Sequence, residues 1–537
     1  MQNDNFLWWH GTIIYQIYPR SFQDSNNDGI GDLKGIIQRL DYLKWLGIET
    51  VWLSPIFSSP MADFGYDIAD YRDIHPIFGT LSDFDQLLDE VHSREMKLIL
   101  DLVPNHTSDQ HSWFKEARSS INNPKRDWYI WQNANSDGSV PNNWLSVFGG
   151  SAWEWDEHTQ QYYYHGFLKE QPDLNWRNQE VQDAMFDIMR FWLDKGVDGF
   201  RVDVIWHMIK DQQLRDNPPN PDYQPHMPTY DSLLPVFSTD QPEVHDIILK
   251  MRRLTDSYHA RLIIGEVYLP IHKLMTYYGA DLKGAHLPFN FTLLAVPWNA
   301  QQIALAIDAY EGSLPVNGWP NWVLGNHDQA RIASRIGVEQ TRVAAMLLLT
   351  LRGTPTLYYG DEIGMKNVSI PFEEIQDPQG LNMPDKNLSR DPARTPMQWN
   401  DQENAGFSHQ KPWLRLDDSF AVNNVAAQST DNNSLLILYK NLISFRQQNR
   451  SLLYGNYKTI YADQQLLAYI RSSENEQTYL IILNLSHSPA RLNVPNLNWT
   501  GTIAIATNST LTGMLIANNY SVNGDEGIVV KLDQLNL

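Results

Sequence analysis

Short apolar runs alternate along this chain with longer segments in which apolar residues recur every three or four positions. Ile13 to Tyr18 reads as a strand, and Leu33, Ile36, Ile37, Leu40, Leu43 and Leu46 follow at helical spacing, closed by Gly47 at the position where a left-handed residue ends a helix. The unit repeats. Glu49 to Leu53 is a second strand, and Phe84, Leu87, Leu88 and Val91 mark a second helix, with Ser82 as its expected N-cap and Asp83 and Asp85 in its first turn. Lys97 to Val103 is the third strand. After Asn105 the period is lost, and residues 105–173 are rich in Trp, Tyr, Asn, Ser and Gly. Helical spacing returns at Val181 to Leu193 and near Pro242 to Tyr258, with apolar strands at Gly199, Leu262, His286 to Phe291, Trp322 and Thr356 to Tyr359. Beyond a helix at Leu435 to Arg446, the pattern becomes alternating β, as in Thr478 to Leu483, with Asn and Gly turns.

Alternation of this kind predicts a parallel sheet with right-handed crossovers. The expected fold class is α/β: a (β/α)8 barrel over residues 1–104 and 174–456. A small inserted domain follows strand three at 105–173, and a C-terminal antiparallel β-sandwich occupies 457–537. A long irregular segment inside a compact fold is usually functional, so the insertion is expected to lean over the barrel mouth.

The chemistry gathers at strand ends. Within Gly199-Phe200-Arg201-Val202-Asp203-Val204, Arg201 and Asp203 point to the same face. An arginine beside a carboxylate favours its ionised form, so Asp203 is expected below the ordinary pKa. Three more apolar runs, LILDLVPNH, LIIGEV and WVLGNHDQ, bring Asp101, Asn105, His106, Glu266, His327 and Asp328 to the same end of the sheet. That end is where barrel active sites are built. Glu266 has no basic neighbour in its own segment. If Asp203 and Asp328 lie near it, their charge raises its pKa and holds its proton.

Composition narrows the field. A formal charge of −22 over 537 residues argues against nucleic acid and anionic membranes as partners and suits a neutral substrate. There is no cysteine, hence no disulfide and no thiolate metal site. The amino-terminal stretch lacks the pattern of a signal peptide, and no apolar run is long enough to span a bilayer. A cytoplasmic protein is expected, with no organic cofactor and no expectation of oligomeric state.

The four strand-end segments, in this order, resemble the four signature regions of the α-amylase family of glycoside hydrolases. Position by position the resemblance implies Asp203 as nucleophile, Glu266 as general acid and then base, and Asp328 as the aspartate that holds sugar hydroxyls and stabilises the transition state. It implies sugar-binding roles for Arg201, His106 and His327, and a separation of Asp203 and Glu266 at the retaining distance of roughly 5 to 5.5 Å. Asp63-Phe64-Gly65-Tyr66-Asp67 and Ala393-Arg394-Thr395-Pro396-Met397-Gln398-Trp399 resemble segments of the subset that removes single glucose units. There Asp63 is expected to pair with Arg394 and close the pocket, with Tyr66 stacked beneath the ring and Phe167 a stacking aromatic nearby. Gln171-Pro172-Asp173-Leu174-Asn175 resembles that subset's additional signature.

Asp24-Ser25-Asn26-Asn27-Asp28-Gly29-Ile30-Gly31-Asp32 is not an EF-hand, because Gly35 stands where the twelfth-position glutamate belongs. It is similar to the calcium loop of oligo-1,6-glucosidase-like members, which implies a structural Ca2+ held by Asp24, Asn26, Asp28, the Ile30 carbonyl and Asp32. The expected activity is exo-acting, retaining α-glucosidase action on short maltose- or isomaltose-type sugars, with transglucosylation as an accompaniment. The alternatives are a glucosyltransferase or isomerase acting on sucrose or maltose, and a non-catalytic scaffold on the same barrel. Val204 is the residue of α-1,6-preferring relatives and Gly325 that of several α-1,4-active ones, so the two hints on linkage disagree.

Overall fold

The structure is a computed structural model and describes residues 6–494, 498–518 and 520–536. Met1 to Asn5 of the expected barrel domain, and residues 495–497, 519 and 537 of the expected C-terminal domain, lie outside the described residues.

Eight parallel strands form the central sheet: β1 (Ile14–Ile17), β2 (Thr50–Leu53), β3 (Lys97–Leu102), β4 (Gly199–Val202), β5 (Leu262–Gly265), β6 (Leu287–Pro288), β7 (Asn321–Val323) and β8 (Thr354–Tyr358). Their order is β6-β5-β4-β3-β2-β1-β8-β7, the winding of a (β/α)8 barrel. The ladder between β6 and β7 is not closed among the described residues, and β6 is only two residues long where the apolar run promised six. Pro288 ends it, having no N–H to offer a further neighbour. All of β1, β2, β4, β5, β7 and β8 is buried. This is why these strands read as unbroken apolar runs and not as alternations.

The helices between them follow their sequence signals, with one correction. Helix Leu33–Leu46 is capped by Asp32, whose carboxylate accepts from the Gly35 N–H, and ends at Gly47 with φ 97°. Helix Leu81–Ser93 is capped by Thr80 and not by Ser82. Thr80 and Asp83 satisfy each other's backbone N–H reciprocally, and Ser82 lies inside the first turn.

The insertion is a small unit of its own, a three-stranded antiparallel sheet of Trp131–Gln132, Gln161–Tyr164 and Trp153–Asp156. It is fastened where it leaves and rejoins the barrel. His106 bridges to Asp173 and Tyr129 to Leu174, while the buried Lys210 ammonium meets Asp173 and donates to Asn105 at 2.8 Å. The carboxyl-terminal part is a six-stranded antiparallel sheet beginning at Asn456, with a separate two-stranded pair, Ala490–Arg491 and Ser521–Val522, as the expected sandwich requires. It is tied to the barrel through the buried Arg471, which donates to the carbonyls of Thr350, Leu452 and Gly455.

Candidate active site

Strand register assembles the centre. Asp101 of β3 lies opposite Arg201 of β4, which lies opposite Ile264 of β5. One step beyond, the Asp203 N–H donates to the Leu102 carbonyl and the Glu266 N–H to that of Val202, bringing the two acids side by side at the carboxyl edge. Arg201 is fully buried and serves three carboxylates, Asp101 and Asp203 at 2.7 Å and Glu266 at 2.8 Å. Glu266 therefore has a basic partner after all, supplied by the adjacent strand, which adjacency in sequence cannot show. The expectation for Asp203 is also corrected. Burial pushes Asp203, Glu266 and Asp101 upward, and one guanidinium shared among three acids does not offset it. The raised proton affinity belongs to the three acids as a group and not to one member.

Immediately after Asp203 the chain turns through Val204 at φ 35°, ψ 46°. A β-branched residue in the left-handed region costs about 1–3 kcal/mol. The turn has a consequence: the Val204 N–H donates to Glu266 Oε2 at 2.9 Å, fixing that carboxylate against the strand end that carries Asp203.

Asp328 has the opposite environment. Against burial, His327, Arg390 and Arg394 hold it well below the ordinary carboxylate range, with contacts of 3.2, 3.2 and 3.0 Å. His327 is stacked on Tyr66, the ring centroids 5.3 Å apart and the planes 2° from parallel. Its Nε2 meets the Tyr66 hydroxyl at 2.7 Å, and that hydroxyl donates to Asp101 at 3.0 Å. Burial keeps His327 and His106 neutral, His106 lowered to about 4, so both offer uncharged hydrogen-bonding nitrogens.

Asp63, Tyr66, His106, Phe167, Asp203, Glu266, His327 and Asp328 line one cavity of about 450 Å³. The expected partner of Asp63 is corrected: its ion pair is with Arg390, at 2.7 Å, and both residues line this cavity. Arg394 instead sits beneath, donating to the His327 carbonyl at 2.8 Å and to Asp328 at 3.0 Å. Arg390 stands four residues before Arg394, outside the segment whose resemblance pointed to Arg394, and no sequence signal singled it out. Phe148 packs on the Arg390 guanidinium, 4.8 Å from its ring centre, and on Phe167. Trp206, His207, Tyr230, Asp231, Thr239 and Tyr268 complete the wall. None of these six stood out by residue type, since their segments carry no periodic signal.

The loop of Asp24 to Asp32 lies outside the cavity. Its donors are oxygens, the type a calcium ion takes. As placed, Asp24 accepts from the N–H groups of Asn26, Asn27 and Gly29 and from the Ser408 hydroxyl. Asn26 accepts from Asp28, Asp28 from Ile30, and Asp32 from Ser25 and Gly35. Among the described residues no three acidic or imidazole groups converge to hold a metal.

Comparison with known proteins decides the family. A family model described as the alpha amylase catalytic domain matches residues 16–455. The chain belongs to the α-amylase family. It is 40% identical over 503 residues to a probable alpha-glucosidase of Rhizobium meliloti, covering 91% of each chain. It is 41% identical over 528 residues to an oligo-1,6-glucosidase of Parageobacillus thermoglucosidasius, covering 91% of this chain and 92% of that one. Among solved structures it is similar to an alpha-glucosyl transfer enzyme, with TM-score 0.92 and 39% identity over 98% of this chain and 99% of that one. It is also similar to the trehalulose synthase of Pseudomonas mesoacidophila, with TM-score 0.91 and 34% identity over 98% of this chain and 100% of the other. As an α-amylase family member the protein is a glycoside hydrolase, and among its described residues no helix is long and apolar enough to cross a membrane.

Proposed function

We propose that this enzyme is an exo-acting, retaining α-glucosidase releasing glucose from the non-reducing end of short, neutral α-glucosides. The observation that supports the exo assignment is the buried Asp63–Arg390 pair in the wall of a cavity of about 450 Å³, which we read as the closed end of a pocket for a terminal sugar. In the proposed mechanism Asp203 attacks the anomeric carbon while Glu266 gives its proton to the leaving oxygen. Water then donates a proton to Glu266 as its oxygen displaces Asp203 from that carbon. The single guanidinium of Arg201, bonded to both acids, supports the close spacing that retention needs. Before attack the proton that this step needs is on Glu266, and the positive charge developing on the sugar favours Asp203 in its ionised form.

The names of similar proteins support glucosidase action, and those of the similar structures support glucosyl transfer as an accompanying outcome. On linkage, one sequence hint has a local explanation: a side chain at Gly325 would meet the Asp361 carboxylate at 3.0 Å. Val204 has none, since its left-handed turn disfavours a β-branched residue. A structural Ca2+ in the 24–32 loop, supported by the oxygen donors of that loop, and a cytoplasmic location belong to the same proposal.

Incubation with maltose, isomaltose, sucrose, trehalose and a nitrophenyl α-glucoside, with products read by chromatography and NMR, tests the activity. Glucose released first as the α-anomer from at least one of the two maltose-type sugars is expected. Release of the β-anomer overturns retention, and attack within longer maltodextrins at a rate matching their ends overturns exo action.

A further inference from the structure

Five acidic side chains line the catalytic cavity, and four of them have an arginine: Asp63 and Asp328 at Arg390, Asp203 and Glu266 at Arg201. Asp231 is the fifth. Among the described residues its carboxylate meets no cation and accepts no hydrogen bond, and burial alone acts on it, pushing its proton affinity up. It sits in the short turn Thr229–Ser232, on a wall built from segments that follow β4 and β5. Those segments also carry Glu266, the group that serves the leaving oxygen. The adjacent Tyr230 hydroxyl is turned to Ser238 and gives Asp231 nothing.

A partly desolvated carboxylate without a donor is costly, and such a cost is retained where a ligand supplies what the protein withholds. Resting on the glucosidase reading above, we propose that Asp231 selects the aglycone by accepting hydrogen bonds from hydroxyls of the sugar attached to the departing oxygen. A polyol presents O–H donors to it, whereas a nitrophenyl ring presents none.

The test compares wild type with Asp231→Ala and Asp231→Asn, measuring kcat and KM on isomaltose, maltose and a nitrophenyl α-glucoside, with thermal melts to confirm folding. The ratio of disaccharide to nitrophenyl-glucoside kcat/KM is expected to fall about tenfold or more in the alanine variant. A smaller fall is expected for asparagine, whose carbonyl keeps one acceptor, and the change is expected mainly in KM. A ratio unchanged within about twofold, or equal losses on both substrate types, overturns the assignment of Asp231 while leaving the glucosidase reading standing. Wild type inactive on all three substrates overturns that reading, and this one with it.

Discussion

Glu266 and Asp328 are carboxylates in one cavity with proton affinities driven apart. Burial and acidic neighbours raise Glu266, whereas His327 and two arginines hold Asp328 down. A raised acid stays protonated to higher pH, so activity is expected to persist above the ordinary glutamate range and to fall on the alkaline side as Glu266 loses its proton. Glu266→Gln is expected to lower kcat on maltose-type sugars by roughly 10²–10⁴-fold and to affect a nitrophenyl glucoside less, because that leaving group needs little protonation. Equal loss on both would reassign the acid. Arg390→Ala leaves Asp63 buried without its cation and opens the closed end. The expected outcome is a kcat/KM loss of about 2 kcal/mol or more, some 30-fold, together with a relaxed preference for chain ends, read on maltodextrins of graded length. Most of these residues were legible in the sequence because each stands at the end of an apolar run. Arg390 was not, since it lies in a loop outside any apolar run, and only the path of that loop across the cavity brings it to Asp63.

At the scale of elements, most of the strands and helices that were named were read to within about two residues, with errors at one cap and at β6, while helices Ala300–Ser313 and Thr341–Thr350 between the last strands went unnamed. The helix at Leu81–Ser93 shows why caps are hard: both Thr80 and Ser82 are good capping types, and only the reciprocal bonds with Asp83 identify the former. Thr80→Ala is expected to cost about 1 kcal/mol of unfolding free energy, whereas Ser82→Ala should stay within about 0.5 kcal/mol. Chemical denaturation of the two variants distinguishes them, and an equal cost would mean that the capping box contributes nothing. The insertion was legible only as a loss of period. Its three short strands owe their pairing to aromatic contacts such as Trp153 on Tyr164, which no local pattern announces.

Across the whole molecule, the 24–32 loop links the start of the barrel to a segment nearly four hundred residues later. The Asp24 N–H donates to the Phe407 carbonyl and the Trp413 N–H to that of Gly29. Gly29 stands at φ 86°, and a side chain there would strike the Lys411 carbonyl at 2.3 Å. If the proposed calcium is held here, a chelator is expected to lower the melting temperature by a few degrees, since an ion bound to the folded state alone stabilises it by mass action. Adding calcium back should restore the melt while kcat in the remaining folded enzyme stays unchanged. A melt indifferent to chelator and calcium would show that the loop is closed by its own N–H groups.

The order of strands and helices, the barrel that follows from it and the acids at its carboxyl edge were set by the chain alone, because apolar periodicity and strand alternation are local properties. Which charge answers which was decided only in three dimensions. Arg201 reaches Glu266 from a neighbouring strand, Arg390 displaces Arg394 at Asp63, and the Asp231 carboxylate is left without a partner among the described residues. Each outcome depends on distances between groups far apart in sequence, and on burial that raises proton affinities beyond what a single neighbouring arginine would lower.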